Sequence, residues 1–329
     1  MSVFDKDIIN IAQEENKEFW EIILENDCNE RKVSKEESMA EMQKMYDAMV
    51  LADKTYNPNK KSHSKVAGGN GALLSDFVQS GKNLSGEFIG KAMSKAISMA
   101  ETNACMGRIV AAPTAGSCGV LPAVIITYEE MFNASGTTES NPSSNIQESE
   151  SPSKNNGKFP SSVNSEDAPT NKSDTNMSAI KALFTAGGIG EIISEKASLA
   201  GADRGCQAEI GSAAAMAAGA LTALRGGPID QITDAAAIAL KSLLGLTCDP
   251  VDGLVEVPCI KRNAIAASIS VSASDMAMAG IQSMIPLDDV IDAMNEIGLN
   301  MPEKYRETSL GGLAVTEAAE KLCHGDGSL

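Results

Sequence analysis

Apolar residues recur at three- and four-residue spacing through most of the chain, the period of helices that bury one face. Within residues 5–26, Ile8, Ile11, Ala12, Phe19, Ile22 and Ile23 share such a face. Ser34 followed by Glu37 forms a capping box, which predicts a second helix running to about Lys54. Its stripe of Met39, Met42, Met45, Met49 and Val50 reads as core packing, because methionine fills irregular gaps. Ser85 stands where a cap would open a third helix, with Ile89, Ala92, Met93, Ala96, Ile97, Ala100 and Ala104 on its buried side. That helix delivers Glu101, Asn103 and Arg108 to its C-terminal end. Pro122 fits the first turn of a following helix. Glycine- and alanine-rich helices over 184–201 and 207–224 can approach their neighbours closely. A further pair covers 228–244 and 260–281, with Pro228 and Pro286 at helix starts and Gly245 at a stop. The fold class expected is all-α, a compact multi-helix domain.

Between residues 132 and 178 the pattern lapses. Ser, Thr and Asn make up about half of this stretch and apolar residues almost vanish, so it cannot bury enough surface to offset its ordering entropy. We expect a disordered insertion over 132–178 within one domain, whose helical parts are 1–131 and 179–329. Asn-x-Ser sequons inside it, such as Asn133 and Asn171, are chance matches in a chain with no mark of secretion.

Composition narrows the class of partner. A net charge of −17 with no Lys/Arg-rich stripe argues against nucleic acid. No apolar run is long enough to cross a membrane, and the acidic start MSVFDKDII lacks the apolar segment of a signal peptide. An odd number of cysteines, seven, several beside Gly or Pro, favours a reducing compartment, and a cytoplasmic location is expected. Aromatic residues are only 4% of the chain, which also suits tightly packed helices better than a β-sandwich.

The loops hold the candidate chemistry. Leu244–Asn263 reads LGLTCDPVDGLVEVPCIKRN and sets Cys248 and Cys259 in a Pro/Gly-punctuated loop between two helical runs. Cys206 follows Gly205 and opens a helix, where exposed amides favour a thiolate. Glu209 lies one turn further along. The spacing C-x41-C-x10-C matches no zinc finger or ferredoxin. Three thiolates without an obvious fourth ligand suit an iron–sulfur cluster with one open iron. Three unrelated buried cysteines would be equally consistent with spacing alone. The glycine-rich stretch Ser62–Leu74 could cradle an anion, or be a plain turn, and it carries His63, one of two histidines. Residues 111–119, AAPTAGSCG, precede another helix; Thr114 and Ser117 could hydrogen-bond a carboxylate, with Arg108 adding charge, or serve as ordinary caps.

Four runs settle these alternatives by likeness. TAGSCGVLPA at 114–123, AGADRGCQAEIGSAAAM at 200–216, GLTCDPVDGLVEVPCIKRNA at 245–264 and RETSLGGLA at 306–314 together resemble the α chain of iron–sulfur-dependent L-serine dehydratase. The resemblance implies that Cys206, Cys248 and Cys259 bind a four-iron, four-sulfur (4Fe-4S) cluster and that no pyridoxal phosphate is used. It implies elimination of water from L-serine to pyruvate and ammonia, an open iron easing departure of hydroxide as a Lewis acid. Glu101, Asn103, Thr114, Ser117 and His63 become candidate catalytic residues, with Ser64 and Asn70 as substrate contacts and Cys118 as a pocket wall. Lys65 and Glu209 join His63 and Glu101 as candidate bases. The Ser-Ser-His segment of the family's β portion is missing, so a β chain is the expected partner, and a homo-oligomer is left open. Cys323 lies four residues past the place of the cysteine that ends single-chain relatives, and Asp203, Arg204 and Asp252 stand where small residues are usual. A lyase acting on threonine or cysteine, and a non-catalytic scaffold subunit, are the alternatives.

Overall fold

The structure is a computed structural model and describes residues 14–133 and 172–324. The expectations for 134–171, for the apolar positions before residue 14 and for the Cys323 side chain lie outside what is described. The helices are α1 (Phe19–Arg31), α2 (Lys35–Lys54), α3 (Asn70–Gln79), α4 (Gly86–Ala104), α5 (Val120–Tyr128), α6 (Lys172–Lys196), α7 (Gly201–Arg204), α8 (Ser212–Leu224), α9 (Ile229–Lys241), α10 (Cys259–Met278), α11 (Leu287–Asn300) and α12 (Glu317–His324). No strand occurs among the described residues; Cys248 and Arg306 form an isolated parallel bridge.

The organising element is α8. Every residue from Ser212 to Thr222 is buried, as expected of a helix apolar on all sides. Helices α5, α6, α9 and α10 surround it, and its run of alanines lets them come close. At Gly219 a Cβ would collide with Ile189 of α6, so even alanine there would overpack the crossing. A second, smaller cluster joins Ala67, Ile97, Ala100, Ile260 and Ala264. It seats the glycine-rich loop and α4 against the start of α10, where Cys259 stands.

Several expectations shift by a turn or more. The helical run expected over 5–26 is interrupted: Glu14 and Glu15 are helical, and Asn16 takes a left-handed conformation (φ 52) that helices avoid before α1 starts at Phe19. In α2 the capping box is present, but Met45 is 52% exposed and Tyr46 takes the inward position at 7%. The larger ring wins the core site, and the methionine stripe turns partly to solvent. Ser85 precedes α4 without a capping hydrogen bond from its side chain. Helix α6 starts at Lys172, twelve residues ahead of its expected start, and Glu129–Asn133 prolong α5 as a π-helical turn. The ends of the 132–178 stretch are therefore helical, and they meet. Ser178 Oγ donates to Glu129 Oε1 at 2.7 Å, and Asn133 Nδ2 donates to Ser178 Oγ at 3.2 Å.

Candidate active site

The three cysteines come from three segments and are all buried. Cys206 follows Gly205, whose left-handed backbone (φ 76) turns the chain where a Cβ would lie 2.7 Å from Met301 Sδ and 2.9 Å from the Leu246 carbonyl oxygen. A π-helical turn, Gln207–Gly211, carries Glu209. Its carboxylate and the sulfurs of Cys206 and Cys248 lie within 4.8 Å of one another. Glu209 Oε2 is 3.9 Å from Cys248 Sγ. Cys259, the first residue of α10, is outside this trio but near enough for the charges of Cys206 and Glu209 to act on it.

The tail shapes the Cys248 loop. Cys248 N donates to the Tyr305 carbonyl at 2.8 Å, and Glu307 N donates to the Cys248 carbonyl at 2.7 Å. Ser309 Oγ donates to the Pro250 carbonyl at 2.7 Å, and Leu313 N to Asp249 Oδ2 at 2.8 Å. Arg306, Glu307 and Gly312 thus lie against the Cys248 loop. Asp249 also accepts from Arg262 Nη2 at 2.9 Å, while Arg262 Nη1 donates to the Thr247 carbonyl at 2.8 Å. Arg262 stands three residues after Cys259 on α10, the i, i+3 spacing that puts both on one face.

These neighbours bias the thiols. Cys206 is held below the ordinary thiol range by a hydrogen bond with Cys248, against the opposing effect of burial, with help from the Arg262 charge. Cys248 is pushed up by that same bond and by burial. Burial raises Cys259 to about 12. A partner thiol and a guanidinium, rather than a helix end, are the chief stabilisers of the Cys206 thiolate.

Across the trio lies the 114–119 loop. Thr114 hydrogen-bonds Glu209, but burial dominates and raises the carboxyl's pKa. Ser117 is fully buried and its Oγ meets Thr114 Oγ1 at 3.1 Å. Asn103 Nδ2 donates to the Ala115 carbonyl at 3.0 Å. Asn263, one turn past Cys259, donates to the Gly116 carbonyl at 2.8 Å and accepts from Gly119 N at 2.9 Å. Thr114 thus faces the cysteine centre, whereas Ser117 and Asn103 hold the loop's shape. Cys118 points into the core against the Met99 carbonyl, and burial lifts it to about 12. Arg108 is exposed.

The glycine-rich loop is organised around Glu101, which is 1% exposed. Its carboxylate accepts from Tyr56 Oη (2.6 Å), Gly68 N (3.1 Å), Asn70 N (2.9 Å), Asn70 Nδ2 (2.8 Å) and Gly71 N (3.2 Å). Burial works against its charge, and the bonds from Tyr56, Asn70 and Gly71 outweigh it, so its pKa is lowered. Asn70 is spent on this anchor. Ser64 Oγ reaches the buried Glu256 at 2.5 Å, tying the loop to the segment between Cys248 and Cys259. His63 and Lys65 are exposed on its outer side.

Sequence reasoning assigned no role to Arg262, Asn263 or Asp249. The signal was available in part: Asp249 adjoins Cys248, and Arg262 and Asn263 fall on the Cys259 side of α10.

Comparison with known proteins now bears on this geometry. The sequence model of the serine dehydratase alpha chain matches residues 14–148 and 149–314. A probable L-serine dehydratase alpha chain of Bacillus subtilis is 39% identical, covering 96% of this chain and 92% of the relative. The L-serine dehydratase alpha chain of Peptoniphilus asaccharolyticus is 35% identical, covering 96% and 95%. The L-serine dehydratase TdcG of Escherichia coli is 41% identical over 67% of this chain but only 40% of its own length. On this likeness, spanning nearly the whole sequence, the chain belongs to the serine dehydratase alpha-chain family.

Proposed function

We propose that this chain is the α chain of an iron–sulfur L-serine dehydratase, a carbon–oxygen lyase that eliminates water from L-serine to give pyruvate and ammonia. The observation that carries the reading is the convergence of Cys206, Cys248 and Cys259 in a chain with this family's sequence. The donor set fits an iron–sulfur cluster: three buried soft thiols, one already biased to thiolate and paired with a guanidinium. Those three cysteines would hold a 4Fe-4S cluster, which when bound supplies a Lewis-acidic iron with an open position.

The remaining work falls to the chain's own groups. Thr114 and the backbone of residues 115–119 are placed to receive the substrate carboxylate beside the cysteine centre. Asn103 and Asn263 keep that loop in register with α4 and α10. The Cys248 loop and the tail cover the opposite side and keep water from the thiols. Glu101 keeps the glycine-rich loop closed, a positioning role, because its lone pairs are already engaged.

A β chain completes the enzyme in this reading. Relatives named as alpha chains match nearly end to end, whereas TdcG has well over half its length outside the match. The reading also carries a cytoplasmic, oxygen-poor setting; no described helix is long and apolar enough to cross a membrane. Anaerobic reconstitution followed by a pyruvate assay on L-serine, L-threonine and L-cysteine, with and without a β chain, tests it. Iron uptake with L-serine as preferred substrate is expected. A colourless protein free of iron after reconstitution overturns it.

A further inference from the structure

Three cysteines would satisfy three irons of a four-iron cluster, and among the described residues one further ligand-bearing side chain is grouped with them. Glu209 shares a 4.8 Å sphere with the sulfurs of Cys206 and Cys248. Its position is built by the surroundings. A Cβ on Gly201 would lie 2.6 Å from Glu209 Oε2 and 3.0 Å from Cys248 Sγ, and a Cβ on Gly116 would lie 3.3 Å from Glu209 Oε1. Two glycines thus leave the carboxylate its room on opposite sides. The π-helical turn contributes as well, since the extra residue per turn alters which way Glu209 projects from the Cys206 end.

The carboxylate is also underused. Its hydrogen-bonding partners are the Thr114 hydroxyl and, at 3.9 Å, the Cys248 thiol. A carboxylate has about four acceptor positions, and Glu101 shows how this fold fills them when the role is structural. Other candidates are engaged elsewhere: Cys105 Sγ faces the Lys60 carbonyl at 3.7 Å and Cys118 Sγ the Met99 carbonyl at 3.8 Å. His63 is exposed on the far loop.

Resting on the cluster reading above, we propose that Glu209 is the fourth protein ligand of the resting cluster, its carboxylate taking the iron that the three cysteines leave uncapped and yielding that position when substrate binds. Oxygen ligation makes that iron distinct from three held by sulfur, and exchangeable, since a hard carboxylate holds iron less firmly than thiolate does.

The test uses full-length wild-type protein, Glu209→Gln and Glu209→Cys, each reconstituted anaerobically with iron-57 and sulfide and examined by Mössbauer spectroscopy and iron counting. Wild type should show one distinct iron. Glu209→Gln should change that iron's signal alone and release it to a chelator at least about tenfold faster. Glu209→Cys should give four sulfur-type irons and slow the release. A Glu209→Gln spectrum and release rate equal to wild type overturns the assignment while leaving the cluster reading intact. Failure of wild type to take up iron overturns both. If Glu209→Gln does not fold, the cysteine variant decides: persistence of a distinct oxygen-type iron there overturns the proposal, and its disappearance upholds it.

Discussion

Glu101, which anchors the glycine-rich loop, and Glu209, beside Cys206 and Cys248, have opposite surroundings. Five donors converge on Glu101, and its pKa falls despite burial. Glu209 meets one hydroxyl and two sulfurs, and its pKa rises with burial. A saturated carboxylate is a fastener, because any new contact must displace an existing one. A carboxylate with vacant acceptor positions, kept in space by two glycines, has capacity for a ligand. The glycine-rich loop is therefore a finished structure, whereas the cysteine centre keeps the capacity that the cluster proposed above would use.

The sharpest way to break this comparison is to remove a thiol. Cys206→Ala, Cys248→Ala or Cys259→Ala should abolish cluster absorbance and anaerobic activity, while Cys105→Ala keeps both. A full cluster in all three single variants would sink the ligand assignment. Next in size is Arg262→Ala, which strands the buried Asp249 charge and loosens the Thr247 carbonyl. Denaturant unfolding should show a loss of about 3–5 kcal/mol, and Arg262→Lys should recover only part, lacking the two-armed contact.

Glu101→Gln probes the glycine-rich loop. It replaces an acceptor of five bonds by an amide and should lower stability by about 2–3 kcal/mol at neutral pH. The sign with pH follows from the lowered native pKa. The ionised form's contribution is complete above the unfolded carboxyl range and is lost as pH falls through the native value. The gap between wild type and Glu101→Gln should accordingly narrow as melting is followed from pH 6 to pH 3; a constant gap would show that the charge is not what the donors stabilise. The smallest effect belongs to neither carboxylate. Joining residues near 136 and 170 by a short turn should change stability by less than about 1 kcal/mol and leave iron uptake as it was. Ser178, Glu129 and Asn133 already bring the flanks together, and loss of folding would contradict this.

Much of this architecture was legible from apolar spacing. The capping box at Ser34, the buried face of α4 and the bounds of α9 and α10 follow from local rules that tertiary packing did not override. Met45 and Tyr46 show where those rules run out. Both are apolar enough for the inward position, and only the partner surface decides which takes it. The start of α6 at Lys172 escaped because Lys172–Asn176 is polar, so its helicity comes from extension of the following buried helix. At the site, family likeness picked out the cysteines, while the partners that shape them come from far along the chain. Nothing local in GLAV at 312–315 says that its backbone will donate to Asp249. The role of Glu101 was obscured for a related reason: five donors arrive from two separate segments.

The tail that brackets Cys248 has a consequence for biosynthesis. Tyr305 and Glu307 fix the backbone of a residue made more than fifty positions earlier, so that loop lacks these partners until residue 307 has been synthesised. Until then two of the three thiols emerge on an unclosed loop, accessible to a delivery protein carrying preformed iron and sulfide. Stalled nascent chains ending near residue 300 should accept a cluster from such a carrier faster than the released protein does. The segment around Tyr305–Glu307 would then act as the latch that ends the loading period.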